Sequence, residues 1–268
     1  RELNAVNSGF STNGPDFGSP DIKLVNKQKI AMLSGDNTSS LSYGALWHFF
    51  EQQLHYPVTS INTENLGYID LDKYNVLIMP SGYYGSLLDE SKMKKIKDWV
   101  RKGGKLIAID RALNAFANKD GFALKRNKNE AEGTDNKNLT PYADREREYA
   151  RQLITGAIFK TKVDNTHPMA FGYDDTYFSL KIGSSSFSLL DRGYNVAHIG
   201  DNVVKVSGFA GSEAMKKLPN SLVFGEERMG SGSFIYFADN IMFRSFWENG
   251  KLFLVNAIFF VNNNAFEL

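Results

Sequence analysis

Residues Arg101 to Leu113 read Arg-Lys-Gly-Gly-Lys-Leu-Ile-Ala-Ile-Asp-Arg-Ala-Leu. The pair Gly103-Gly104 is typical of a helix end, and the apolar run Leu106 to Ile109 has the length of a buried strand. The chain then turns at Asp110-Arg111 towards another helix. In open α/β sheets, ligands and nucleophiles sit where such strands end, because the turn lifts a side chain above the sheet. The sequence therefore predicts that Asp110 occupies this raised position.

The composition limits the classes of protein to consider. Of 268 residues, 42% are hydrophobic and 13% aromatic, as in a folded globular protein. The formal net charge of +1 gives no reason to expect a nucleic-acid partner, and no apolar run approaches the roughly 20 residues that span a bilayer. The absence of cysteine excludes disulfides, thiolate metal sites and cysteine nucleophiles. A chain that begins at Arg1 without a signal-like segment is expected to be a piece of a longer protein.

The first half of the chain alternates between predicted strands and helices. Apolar runs predict strands over 29–34, 57–61, 75–79 and 106–109. Apolar residues spaced by three and four predict helices over 40–54 and 89–102. This alternation predicts parallel strands with helices on both faces. The expected class is a three-layer, flavodoxin-like α/β fold.

The second half is predicted to be richer in strands. Thr140-Pro141 resembles a helix start, with proline at the first helical position, and the helix is expected to reach Gly156. Short strand-like runs separated by Gly, Ser and Asn then predict an elaborated β-rich region, followed by a closing helix over 251–261. These strand-like runs cover 157–163, 177–181, 196–199, 203–206, 221–224 and 233–237.

Three segments define the expected domain organisation. Residues 1–27 are rich in Asn, Ser, Gly and Pro and predict a linker or lead-in. Residues 28–268 predict one domain. Within it, residues 117–139 form a polar insertion that we expect to be mobile.

The turns of the first half resemble those of the class I glutamine amidotransferase-like fold. The resemblance rests on the Gly35-Asp36 turn, the Met79-Pro80-Ser81-Gly82 turn and the Gly-Gly-Lys strand before Asp110. It covers roughly residues 28–115 and 221–262. It implies a parallel sheet with helices on both faces.

The residues that carry the reaction in that family are replaced here. In working members the turn after the strand carries a cysteine, and a late strand ends in His-Pro-Glu. This chain has Asp110 at the first position, while Asp239 and Ile241 stand where the histidine and the acid are expected. A carboxylate cannot form the thioester, and no base remains in the right order. The resemblance therefore implies a domain without the catalytic triad.

A second resemblance takes in nearly the whole chain. Its motifs are Phe17-Gly18-Ser19, Ser42 to Trp47 (SYGALW), Asn165 to Pro168 (NTHP), Phe171-Gly172, Phe243 to Trp247 (FRSFW) and Asn256 to Phe259 (NAIF). These are similar to the amidotransferase-like region that follows the catalytic domain in large bacterial zinc carboxypeptidases. The resemblance implies a pseudoenzyme, the C-terminal accessory domain of an extracytoplasmic (periplasmic or secreted) parent enzyme. Its partner would be the catalytic peptidase domain of the same chain.

Eight candidate ligand-binding residues follow predicted strands at one edge of the sheet, and we call them the strand-end rim. Converging carboxylates there could do acid-base work or hold a divalent cation. The simpler interpretation is a carboxylate-arginine network that ties the turns together. We predict no resident cofactor or metal, and a small molecule or sugar as the possible ligand. The eight residues are Asp36, Ser81, Gly82, Tyr83, Asp110, Arg111, Asp239 and Arg244.

Two alternatives remain open at this stage. The chain could be an independent hydrolase that uses Asp110 and Asp239, for which an open pocket with unpaired carboxylates is expected. It could also be a carbohydrate-associated module of a glycosidase, in which the aromatic pair Tyr83-Tyr84 stacks on sugars.

One further pattern has the form of a metal motif. His48 and Glu51 read as H-x-x-E, with His167 far downstream. Zinc requires three such ligands converging around an open position. His48 and Glu51 instead fall on the polar arc of a predicted helix. We interpret them as a solvated helix face.

Overall fold

The computed structural model describes residues 5, 7–20, 22, 24–127 and 140–262, and these build one ten-stranded mixed sheet. Its first part is parallel, in the order β2-β1-β3-β4-β10. The strands are β1 Ile30–Ser34, β2 Val58–Asn62, β3 Val76–Met79, β4 Lys105–Ile109 and β10 Gly232–Phe237.

The sheet continues beyond β10 with antiparallel strands, in the order β9-β7-β5-β6. A further strand, β8, pairs with β5. This part is the elaborated β-rich half that the sequence predicted. Its strands are β5 Ile154–Val163, β6 Thr176–Lys181, β7 Tyr194–Ile199, β8 Val204–Ala210 and β9 Ser221–Met229.

Helices cover both faces of the sheet, so the predicted three-layer α/β fold is confirmed. Side chains of β1 alternate between two hydrophobic cores, with Met32 on one face and Leu33 on the other. Helices α1 (Ser40–His48) and α5 (Lys251–Phe259) pack on the first face, and α2 (Glu90–Arg101) packs on the second. Because β1, β3 and β4 are apolar on both faces, each can be buried between these layers. None of the helices in the described part of the chain is long and apolar enough to cross a bilayer.

Two helix predictions need correction. The helix predicted over 40–54 is α-helical only as far as His48 and continues as a π-helix over Phe49–Leu54. Phe49 and Phe50, the first two residues of this wider turn, are both buried in the core of the first face. The helix predicted from Thr140 to Gly156 is shorter, since α3 spans Tyr142–Arg151. Ile154 instead pairs with Ala210 of β8, so strand pairing replaces the last helical turn.

Part of the polar insertion that the sequence predicted over residues 117–139 is buried in the hydrophobic core. Phe122, Ala123 and Leu124 are buried against the second face of the sheet. The backbone N–H of Ala123 donates to the buried carboxylate of Glu227 on β9, 2.9 Å from each oxygen. Residues 117–127 therefore belong to the packed structure, and the rest of the segment, 128–139, lies outside the described residues. A short helix, α4 (Ser212–Met215), was not predicted.

Candidate functional site

Asp110 lies where β4 ends and has the backbone geometry of a sharp, raised turn. Its φ of 52° falls in the left-handed region, which non-glycine residues adopt uncommonly and aspartate more readily than most. A short 3-10 turn over Asp110–Ala115 follows directly. Such geometry resembles the elbow that presents a nucleophile above an α/β sheet. Here it presents a carboxylate, as the sequence predicted.

Ser81 binds Asp110 from the end of β3. Its hydroxyl donates to Asp110 Oδ2 over 2.7 Å. The backbone of Ser81 is fixed in turn, since its N–H donates to Ser42 Oγ and its carbonyl accepts from Ser39 N–H. The next residue, Gly82, has no room for a side chain, because a Cβ there would lie 2.2 Å from the carbonyl oxygen of Asn37. Contacts with the start of α1 thus hold both rim residues in place.

Asp239 follows β10 and is 6% exposed. Lys181 Nζ lies 2.9 Å from Asp239 Oδ1 in a buried ion pair, and Ser179 Oγ donates to Asp239 Oδ2 over 2.6 Å. Lys181 and Ser179 sit two residues apart on β6, whose alternate side chains point into the core. Because one ammonium and one hydroxyl hold both carboxylate oxygens, Asp239 is a well-satisfied buried charge.

The structure brings the two carboxylates to one edge of the sheet, where they interact electrostatically. Burial raises the pKa of the Asp110 carboxyl above its ordinary value, and the charge of Asp239 raises it further. The hydrogen bond from Ser81 and the positive charges of Lys181 and Arg111 oppose this rise without cancelling it. Asp110 therefore holds its proton to a higher pH than an exposed aspartate does.

The carboxylate-arginine network that the sequence predicted is not what the described contacts show. Arg111 Nη1 donates to Tyr83 OH over 2.6 Å, and its guanidinium lies 5.3 Å from the centre of the Tyr83 ring. Arg244 is exposed and lies over Phe243. Asp36 is exposed, and within the described part of the chain it forms no ion pair. The two carboxylates Asp110 and Asp239 are instead bound by two serines and a lysine, Ser81, Ser179 and Lys181.

The two adjacent tyrosines have different environments. Tyr83 is 68% exposed, whereas Tyr84 is 1% exposed. The Tyr84 hydroxyl donates to the carbonyl of Pro80 and contacts Thr38 Oγ1, and burial raises the pKa of Tyr84 to about 12. Of the aromatic pair that the carbohydrate-module alternative assigns to sugar stacking, only Tyr83 is therefore exposed.

The possible metal ligands lie on different elements. His48 and Glu51 are exposed on α1 and the π-helical turn. His167 is buried, its Nε2 lies 2.9 Å from Glu226 Oε2, and its Nδ1 accepts from Met169 N–H. Among residues 24–127 and 140–262, no three His, Asp or Glu side chains are grouped to hold a metal ion.

Sequence reasoning missed Lys181 and Ser179, although the strand that carries them was predicted. In 177–181, the apolar Phe178 and Leu180 alternate with Tyr177, Ser179 and Lys181, and the second set is the buried one. A polar pair on the buried face of a strand requires a buried partner. The alternation in the sequence indicates that such a partner exists. Only the folded structure identifies it as Asp239.

A groove of about 670 Å³ lies away from the strand-end rim, beside β5. Its lining contains none of the eight rim residues. The open pocket with unpaired carboxylates that a hydrolase would need is therefore not at this groove.

Comparison with known proteins supports the fold. No protein-family model and no curated protein sequence matches the chain. A solved structure named as a ThuA-like protein of Parabacteroides merdae aligns with 14% identity and a TM-score of 0.57, covering 87% of this chain and 89% of that one.

Two further solved structures resemble the chain. One, named as part of a GMP synthase of Thermoplasma acidophilum, has 10% identity and a TM-score of 0.51 over 87% of this chain and 94% of its own. A glutamine amidotransferase of Thermotoga maritima aligns at 10% identity and a TM-score of 0.49, over 88% of this chain and 98% of its own. At such identities the likeness concerns the fold alone. Together with the sheet described above, the likenesses to the Parabacteroides merdae and Thermoplasma acidophilum structures, whose TM-scores exceed 0.5, show that this chain has a flavodoxin-like, amidotransferase-like α/β fold.

Proposed function

We propose that this chain is a non-catalytic accessory domain of an extracytoplasmic zinc carboxypeptidase-type protein. In this role it packs against the catalytic peptidase domain of the same parent chain or holds a small ligand at the strand-end rim. One observation carries the proposal: the raised turn after β4 presents Asp110, a carboxylate held by Ser81. The residue that would attack a substrate in a working amidotransferase is thus absent from the place where the fold would present it.

The second catalytic position supports the same conclusion. Asp239 stands where an imidazole base would be needed, and its two oxygens are bound by Lys181 and Ser179. A carboxylate whose two oxygens are already bound by an ammonium and a hydroxyl does not replace the imidazole that accepts the nucleophile's proton. Neither activation of a nucleophile nor formation of a thioester follows from this arrangement.

The parentage rests on the sequence motifs that cover nearly the whole chain. Several of them lie on packed elements of the fold: Ser42 to Trp47 is on α1, and Asn256 to Phe259 is on α5. Asn256 is buried and donates to the carbonyls of Met169 and Phe171, which joins two of the motifs directly. These motifs therefore describe one structural unit.

The alternatives receive less support. For a sugar-binding module, Tyr84 is buried and one face of the Tyr83 ring already meets Arg111. For a hydrolase, Asp239 is engaged in an ion pair. Each alternative therefore lacks one of the two residues to which it assigns a role, Tyr84 for the sugar module and Asp239 for the hydrolase.

Two experiments test the proposal. The isolated chain is assayed for ammonia release from glutamine and, with zinc added, for removal of the last residue of a synthetic peptide. We expect neither activity, and an activity that disappears in Asp110→Asn would overturn the non-catalytic assignment. Peptide mass mapping of the full polypeptide in its native source tests the parentage. A zinc peptidase domain in the same polypeptide is expected, and its absence would overturn that part of the proposal.

A further inference from the structure

The lead-in segment contains a closed loop over residues 9–17. The backbone N–H of Phe17 donates to the carbonyl of Gly9 over 2.9 Å, which joins the two ends of the loop. Its tip is the exposed dipeptide Asn13-Gly14. Gly14 has a φ of 100°, and nothing lies within 4 Å of a Cβ placed on it. The side-chain amide of Asn13 forms no hydrogen bond with any residue that the structure describes.

An asparagine followed by glycine can lose ammonia without an enzyme. The glycine nitrogen gives its proton to the solvent and attacks the asparagine Cγ. A bond forms between these two atoms, and the bond from Cγ to Nδ2 breaks, so that ammonia leaves. Water then opens the five-membered imide at either carbonyl and leaves aspartate or isoaspartate. The ring closes only where the backbone can bring the nitrogen against Cγ, which glycine hinders least because it has no Cβ.

A second Asn-Gly dipeptide, Asn249-Gly250, is held in place by the fold. Asn249 Nδ2 donates to the carbonyl of Phe178 on β6 over 3.1 Å. Gly250 is buried, and a Cβ there would lie 2.4 Å from the carbonyl oxygen of Ile241. Ring closure at Asn249 would therefore break a contact with the sheet and move a tightly packed peptide.

The backbone carbonyls of the two asparagines have similar partners. Asn13 accepts from the hydroxyl of Ser11 over 2.8 Å, and Asn249 accepts from the hydroxyl of Tyr173 over 2.8 Å. A hydrogen bond at this oxygen stabilises the deprotonated peptide to a similar extent at both sites. The two sites therefore differ in freedom of movement and not in this activation.

The related dipeptide Asp120-Gly121 is also fixed. Lys97 Nζ donates to the carbonyl of Asp120 over 2.8 Å, and Arg192 Nη2 donates to the carbonyl of Gly121 over 2.7 Å. A carboxylate is also a poorer electrophile than an amide, so ring closure here is slower still.

We propose that Asn13 is a site of non-enzymatic modification, at which the folded chain loses ammonia while Asn249 is protected. The product carries an additional negative charge, so the formal net charge falls from +1 to zero. The change alters the charge of the lead-in loop and leaves the contacts of the sheet intact. This inference does not depend on the proposed function.

Incubation of the purified chain at mildly alkaline pH, followed by peptide mass mapping over time, tests the site. In the folded protein, the peptide that contains Asn13 should convert at least about tenfold faster than the one that contains Asn249, because Asn249 must first break its hydrogen bond and local packing. In concentrated urea the two rates should become similar. No conversion at Asn13, conversion at Asn249 as fast as at Asn13, or an equally large difference in urea would each overturn the proposal.

Variants identify the origin of the acidic product on isoelectric focusing. Asn13→Gln should abolish it, because glutamine cannot form the five-membered ring, and Asn13→Asp should migrate with it. Asn7→Gln is the matched control, because Asn7 is an exposed asparagine of the same segment that precedes serine, and it should leave the rate unchanged. An acidic product that persisted in Asn13→Gln, or disappeared in Asn7→Gln, would contradict the assignment to Asn13.

Discussion

Ser81 and Asp110, 29 positions apart in the chain, are joined by a 2.7 Å hydrogen bond between the ends of two strands. β3 and β4 are adjacent parallel strands, so their carboxyl ends meet at the same edge of the sheet. The bond fixes the Asp110 carboxyl in a partly buried position beside Asp239. This relationship has consequences for stability that can be measured.

The raised pKa of Asp110 predicts a specific dependence of stability on pH. Above the pKa of an aspartate in the unfolded chain, the folded protein retains the proton that the unfolded chain has lost. The free energy of unfolding therefore falls as the pH rises from that ordinary value through the raised pKa of Asp110. Asp110→Asn has no charge to bury, so it should gain stability relative to wild type as the pH rises from 4 to 7.

Urea unfolding of wild type and Asp110→Asn at several pH values measures this difference. The asparagine oxygen can still accept from Ser81, so the contact that holds the turn is kept. A difference between the two proteins that stays constant from pH 4 to 7 would contradict the raised pKa.

The buried pair of Lys181 and Asp239 should respond strongly to removal of one partner. Lys181→Met leaves the Asp239 carboxylate buried without its cation, which costs about 3–5 kcal/mol of unfolding free energy. The double variant Lys181→Met/Asp239→Leu should lose less free energy of unfolding than Lys181→Met alone, since it leaves no unpaired charge buried at this position. Chemical denaturation measures both.

An exposed pair serves as the control for this prediction. Lys94 and Asp98 on α2 form a solvent-exposed ion pair, so Lys94→Met should leave the free energy of unfolding nearly unchanged. If Lys181→Met lowered the free energy of unfolding no more than Lys94→Met does, the ion pair between Lys181 and Asp239 would not stabilise the fold.

Lys105 is expected to change the free energy of unfolding with pH in the direction opposite to that predicted for Asp110. It is 1% exposed at the start of β4 and donates to the carbonyl of Ile258, near the end of α5, over 2.7 Å. Burial lowers its pKa from 10.5 to about 7, against the attraction of Glu226. Between these two values the unfolded chain binds the proton that the folded protein has released, so the free energy of unfolding rises with pH.

The comparison for Lys105 is Lys105→Met, which cannot titrate. Wild type should gain stability relative to this variant between pH 7 and 9.5, as followed by urea unfolding. A difference in unfolding free energy between the two proteins that stayed constant or reversed in sign of slope over this interval would show that Lys105 remains charged in the folded protein.

Gly82 should tolerate no side chain. Its Cβ would approach the carbonyl of Asn37 to 2.2 Å, so Gly82→Ala must displace the turn that carries Ser81 and should cost about 1–3 kcal/mol. Gly85→Ala is the matched control, because nothing lies within 4 Å of its added methyl group. Thermal unfolding distinguishes the two, and equal melting temperatures would refute the tight contact at Gly82.

Prediction from the sequence succeeded where the pattern was local. The buried strands and α2 follow from runs and spacings of apolar residues, which report burial directly. Prediction failed at the π-helical turn after His48 and at Phe122 to Leu124. Their conformation and burial depend on packing against other elements of the fold.

At the candidate site, the order of amino acids was enough to establish that a carboxylate, not a thiol, ends the strand before Arg111, because chemical identity requires no coordinates. It was also enough to predict the layered α/β fold, because periodicity reflects which faces are buried. The choice of Ser81 and Lys181 as partners, in place of Arg111 and Arg244, required the folded chain. Those contacts join residues far apart in sequence, and strand register and side-chain direction in three dimensions decide which groups meet.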